Sequence, residues 1–401
     1  MGLLAQMREV FFYTGAFLIA WSWALVYYAF AHVAVGQSPL QNQIGFGGQW
    51  RLNSLPVLVC QYFVVCGFAA ATRALLKGFN NAWAASLAVA IEFFPSPIFS
   101  GALMGYLGQF ASHSEVEYCG ITVVATWVTA ALVYSVPTSG PLSEFGDVMQ
   151  KTVGFGLGVA WNSFVSAAMP ATWSFHLHTL FLVLEMSLAA SLVVPEPGPS
   201  SLRQRHASLL SFAAKVVCAF SMASWINSVT PDGWLGGLIA ELYLILQAAS
   251  LSYWVSGLDL DSAALSTDAV LSRPDALERL VSCLVMIPCV WCCCPCVPLI
   301  WLLSRPHAGV KGRWLSLISE ISSLAASVVG TNLLTGGIDA LADAWHICGP
   351  YSCDGAVFLL LAAVGASLVS ILLLTAIVPL CAPPALPFTP TLADARVALV
   401  P

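Results

Sequence analysis

The stretch FFYTGAFLIAWSWALVYYAFAHVAV, residues 11–35, runs for twenty-five residues without a Lys, Arg, Asp or Glu. A hydrocarbon core of about 30 Å is crossed by roughly 20 apolar residues of helix, so this segment is long enough to span a bilayer. It is also too long for the apolar region of a secretory leader, about 7–15 residues, and no small-residue cleavage site follows it. The expectation is a first span that stays with the protein.

Runs of the same kind recur through the 401 residues. Hydrophobic residues make up 59% of the chain and charged ones 8%, against about 45–50% and 25% in ordinary soluble domains. So few charges leave too little polar surface for a water-soluble fold of this size, and lipid takes the place of water around the helices. The net charge of −6 and the scattered bases give no basic stripe, which sets nucleic acid aside as a partner. Strands are not expected, because an open sheet edge cannot face hydrocarbon and the short alternating segments of a barrel are missing.

The predicted fold class is therefore all-α: a polytopic transmembrane helical bundle, read as a single transmembrane domain over residues 1–383. The expected spans are 10–35, 55–77, 78–96, 118–136, 148–169, 173–194, 210–229, 233–257, 314–338 and 356–381. The segment 98–110 is too short to cross and reads as an outer re-entrant or interfacial helix. Residues 280–304 hold Pro288, Pro295 and Pro298, each of which removes a backbone donor, so a re-entrant or hairpin segment is expected there. An eleven-pass layout is the alternative. The Pro-rich tail 384–401 is expected to be disordered.

Lys and Arg concentrate in cytosolic loops. Threading ten spans with both termini in the cytosol puts every base except Arg51 on that side, thirteen of the fourteen. Three bases are followed ten residues later by Trp: Arg73 by Trp83, Lys151 by Trp161, and Lys215 by Trp225. Ten residues of helix rise about 15 Å, which carries each Trp toward the midplane. The spacing suggests parallel two-helix repeats at 71–136, 142–194, 208–258 and 313–383, although the fourth has Thr331 and Asn332 where Trp would stand.

Charged groups at membrane depth are costly and mark function. Glu185 lies in LFLVLEMSLAAS, with His178 two turns earlier on the same face. Glu241 sits within the return span after Trp225, and Glu92 lies near the far end of its own span, just before FFPSP. The prolines there free backbone carbonyls that coordinate ligands in broken transporter helices. With Trp83, Trp161, Trp225, Asn162 and Asn227, these carboxylates and His178 form the candidate pathway for a solute or ion. The same asparagines also serve as plain interhelical bonds. Gly154, Gly156 and Gly158 imitate a nucleotide fingerprint, but no strand precedes them.

Cys348 and Cys353 bracket GPYS in a predicted outer loop and are expected to form a disulfide. Cys292, Cys293, Cys294 and Cys296 crowd the irregular segment, where palmitoylation beside a membrane competes with inert apolar filling. Zinc is disfavoured because His307 is the only imidazole nearby. No metal and no cofactor is expected. The leading functional reading is a transporter or channel for a small solute or ion within the lipid bilayer. A non-transporting scaffold is the second reading. A membrane enzyme is the third, without HExxH, GxSxG or an evident nucleophile. The orientation has a direct check: a tag placed between residues 195 and 209 should be labelled from the same side as one at the N-terminus. Labelling from opposite sides would overturn the topology.

Overall fold

A backbone in hydrocarbon must satisfy every amide internally, and the apolar runs do so as helices. A computed structural model describes residues 3–35, 55–79, 82–108, 115–134, 142–168, 202–231, 233–263, 308–346 and 353–380. These form ten helices: α1 (Leu3–Val35), α2 (Leu55–Lys77), α3 (Ala82–Phe93), α4 (Pro95–Gly108), α5 (Glu115–Tyr134), α6 (Ser143–Ala168), α7 (Leu202–Val229), α8 (Trp234–Ala263), α9 (Ala308–Ala344) and α10 (Cys353–Leu380). No strand occurs among the described residues. Expectations for 173–194, 280–304 and 384–401 fall outside them.

Among the described residues seven helical segments are long and apolar enough to cross a membrane; the expected ten include 173–194, which lies outside them. Five match the expected spans closely: 55–77, 210–229, 233–257, 314–338 and 356–381. The first, Gln6–Phe30, begins slightly earlier than expected. The seventh corrects the reading of residues 78–110. The apolar segment is Leu87–Met104, which bridges α3 and α4, so 78–96 is not a span by itself and 98–110 is not a separate interfacial helix. α3 ends at Phe93 and Pro95 opens α4, where a missing N–H costs nothing, so the apolar segment runs on across the break. Phe94 N–H still reaches Ala90 O, which extends the last turn of α3 up to Pro95. α5 and α6 are helical as expected but are not among the seven.

Two packed cores divide the bundle. One joins α7, α8 and α9 through Met222, Trp225, Leu244, Ile245, Ile321 and Val329. α9 lies against both α7 and α8, while the sequential pair α7 and α8 touch little. The other joins α2, α4, α5 and α6 through Tyr62, Phe99, Leu103, Ala125, Met149 and Leu157. α1 runs between them and packs on α3, α8, α9 and α10. Its Phe17 ring lies 5.7 Å from Phe93 and 5.8 Å from Phe155.

Hydroxyl side chains within these helices bond their own backbones, which removes the need for water. Thr126 donates to Thr122 O at 2.8 Å, Thr152 to Val148 O at 2.8 Å, and Ser322 to Ile318 O at 2.8 Å. Large apolar side chains point outward instead, among them Val64 and Phe68 on α2, Trp127 on α5, and Leu361 and Leu368 on α10. That inversion is what a lipid-facing surface requires.

The α6–α7 contact depends on an absent side chain. A Cβ built at Gly158 would meet Val216 Cβ at 2.6 Å and Ala213 O at 2.8 Å. Gly158→Ala should therefore lower the melting temperature in detergent, at a cost of about 1–3 kcal/mol from overpacking. Gly120→Ala, with nothing within 4 Å of its Cβ, should leave it unchanged. Equal melting of the two variants would contradict the packing described.

Candidate functional site

The proposed first repeat does not hold as one helical unit. Arg73 belongs to α2 and Trp83 to α3, with α2 closed by Gly78 N–H to Leu75 O and Phe79 N–H to Leu76 O. Lys151 and Trp161 do share α6, and Lys215 and Trp225 share α7. All three bases nevertheless meet carboxylates from other helices.

Glu92 at the end of α3 is the centre of the larger ionic cluster. Its side chain is 6% exposed and is held by Lys151 of α6 and by Arg73 of α2, the latter at 3.3 Å. Arg73 also reaches Glu144 of α6 at 2.9 Å, and Lys77 bonds the same carboxylate. Glu92 thus lies level with Arg73, close to where α2 ends, rather than at the far end of a span. Its register follows from the corrected crossing segment: Glu92 comes early in Leu87–Met104. With two bases on one buried carboxylate, this group ties three helices together and is not poised to bind a further cation.

Two carbonyls at and just after the second proline are engaged by hydroxyls. The Tyr28 hydroxyl of α1 donates toward Pro97 O at 3.2 Å and Ile98 O at 2.7 Å, and Ser100 Oγ donates to Pro97 O at 3.0 Å. The neighbouring crevice between α2, α4 and α6 is lined by Gln61, Tyr62, Val65, Phe99 and Thr152 and leaves no room for a ligand. It is apolar and lies away from Glu241.

Glu144 is the ionic group outside the expected spans. Partial burial pushes its carboxyl up, but the Lys77 hydrogen bond and the charges of Arg73 and Lys77 outweigh this and hold it below the ordinary carboxylate range.

Glu241 has different surroundings. It sits two turns into α8, and among the described residues it makes no hydrogen bond and no ion pair. Across from it stands Gly330 of α9: a Cβ there would lie 2.8 Å from Glu241 Oε1 and 3.2 Å from Leu18 Cδ2 of α1. The carboxylate occupies a notch formed by the missing side chain. One turn earlier, Gly237 is in close contact with Leu333. The second ion pair, Lys215 to Glu320 at 2.5 Å, joins α7 to α9, with Ser316 Oγ donating to Glu320 at 3.3 Å.

The aromatic candidates have separate places. Trp161 Nε1 donates to Thr126 Oγ1 of α5 at 3.2 Å, while Trp225 is 5% exposed within the α7–α8–α9 core. Asn162 is half-buried and Asn227 exposed. Glu92 and Glu241 are not brought together: one faces α2 and α6, the other α1 and α9. Glu185, His178, Cys348, Cys292, Cys293, Cys294 and Cys296 lie outside the described residues, as do the side chains of Trp83 and Cys353. Sequence reasoning missed Gly330 and the partners of all three bases. A glycine in SVVGTN was the only available signal for the first.

No family model matches the chain, and neither a curated protein nor a solved structure matches it.

The ionic cluster predicts two stability effects. Glu92→Gln should destabilise the folded chain by about 2–3 kcal/mol, below the 3–5 kcal/mol for a fully buried pair because Lys151 is 44% exposed. Because the folded Glu144 value is lowered, its stabilisation is complete above the ordinary Glu range and is lost as pH falls through the folded value. Melting curves in detergent taken from about pH 5 downward should fall less steeply for Glu144→Gln than for the native chain. Parallel curves would assign the acid sensitivity to other groups.

Proposed function

We propose that this multi-pass membrane protein passes a small solute or ion across the bilayer, with Glu241 as the intramembrane carboxylate that carries it. The observation behind this reading is the contrast between the carboxylates. Glu92, Glu144 and Glu320 each have basic partners, whereas Glu241 has none among the described residues. A charged side chain at membrane depth costs about 2.5–3.5 kcal/mol on insertion scales, so an acid kept there without a counter-ion points to use rather than to architecture. Gly330 supports the same view, since it leaves space for the carboxylate between three packed helices.

The ionic cluster around Glu92 favours a second reading, a scaffold that moves nothing. It joins α2, α3 and α6 as a brace and has no evident role in passage.

Purified protein in planar bilayers, bathed on both sides in potassium chloride buffer, separates the two readings. A voltage-driven current above that of protein-free bilayers is expected, lost in Glu241→Gln and retained in Glu241→Asp. Gel filtration of each variant should show an unchanged elution volume. A native chain without current, or a Glu241→Gln chain with full current, would leave the scaffold reading in place.

A further inference from the structure

The space around Glu241 bears on what moves. α8 and α9 meet there at Gly237 and Gly330, and Leu18 closes the third side. Hard metal cations shed their water only for a shell of about six to eight oxygens. A single carboxylate set against a glycine backbone and leucine methyls does not offer such a shell. Among the described residues no group of three or more His, Cys, Asp or Glu side chains comes together to hold a metal. A proton needs only one lone pair and no added volume.

A second observation is independent of the notch. The face of α9 that carries Gly330 also carries Ser316, Ser319, Glu320, Ser323, Ser327 and Thr331, spaced by three and four residues. At 1.5 Å per residue the row extends about 22 Å along the helix. Its first part is hydrogen-bonded across helices: Ser319 Oγ and Ser252 Oγ are 2.7 Å apart, and Ser319 Oγ lies 2.8 Å from Ala248 O. Farther on, Ser327 donates to Ser323 O at 3.1 Å and Thr331 to Val328 O at 2.7 Å. Each hydroxyl keeps lone pairs that accept a further bond, so it is both donor and acceptor. Glu320 lies near the start of the row, between Ser319 and Ser323, and is 44% exposed, which gives it contact with the surroundings.

We infer that the transported ion is a proton, which reaches Glu241 along the hydroxyl face of α9 from the Glu320 end. The inference rests on the preceding reading of Glu241. A hydronium ion at the Glu320 end gives up a proton and becomes water. Each hydroxyl, or a water between hydroxyls, accepts a proton on oxygen and releases one onward. The Glu241 carboxylate becomes a carboxylic acid and then yields its proton to water on the other side. One proton crosses, the carboxylate is regenerated, and no bond between heavy atoms changes.

The test uses the purified full-length chain in planar bilayers, with a pH, a potassium or a sodium difference imposed in turn. The reversal potential is expected to follow the pH difference and to ignore the other two. Ser323→Ala combined with Ser327→Ala should reduce the proton current while gel-filtration elution and melting temperature stay unchanged. A reversal potential that follows potassium or sodium would overturn the proton assignment while leaving Glu241 as the carrier. Full proton current in the double variant would overturn the route. Absence of any current from the native chain would instead remove the parent reading, and this inference with it.

Discussion

Hydrocarbon offers no hydrogen-bond partner, and that one constraint shapes each polar choice in this bundle. The backbone answers it by being helical wherever it is described. Thr126, Thr152 and Ser322 answer it by bonding carbonyls one turn back on their own helix. Bases answer it by drawing carboxylates from other helices, so that Arg73, Lys151 and Lys215 all act as tie points between elements distant in sequence. Glu241 differs from Glu92 and Glu320 in that no such partner comes to it among the described residues.

Small residues make these polar arrangements possible. At Gly158 the α6–α7 contact is too close for a methyl group, and at Gly330 the same device opens space for an acid instead of a helix. Helix association in lipid gains little from hydrophobic driving force and depends on such close approach. The missing side chain thus serves two ends here: the first brings two helices together, and the second makes room for a carboxylate between them.

The helical class and most of the crossing segments were legible in the sequence because length and apolar composition are properties of each segment alone. The segment around Glu92 was misread for a physical reason. Proline usually ends a helix, but at the first position of the next one it removes only a donor that has no partner anyway, so Leu87–Met104 continues past Pro95. The Arg73–Trp83 spacing looked like the other two because a gapless count does not register the helix boundary after Lys77. Partners such as Lys151 for Glu92, or Gly330 for Glu241, depend on which faces meet in space. A single sequence carries no direct record of that. Trp225 is buried among helices, whereas Asn227 is exposed.

Trp23 of α1 donates its indole N–H to Ser367 of α10 at 3.1 Å, and the two helices share an extensive face around Val26, Ala29, Phe358 and Leu359. During synthesis α1 enters the bilayer long before α10 leaves the ribosome. Its α10-facing side must therefore be shielded by lipid or by an insertion chaperone until the later helix arrives. A chain ending before residue 353 would leave that apolar flank of α1 uncovered by protein.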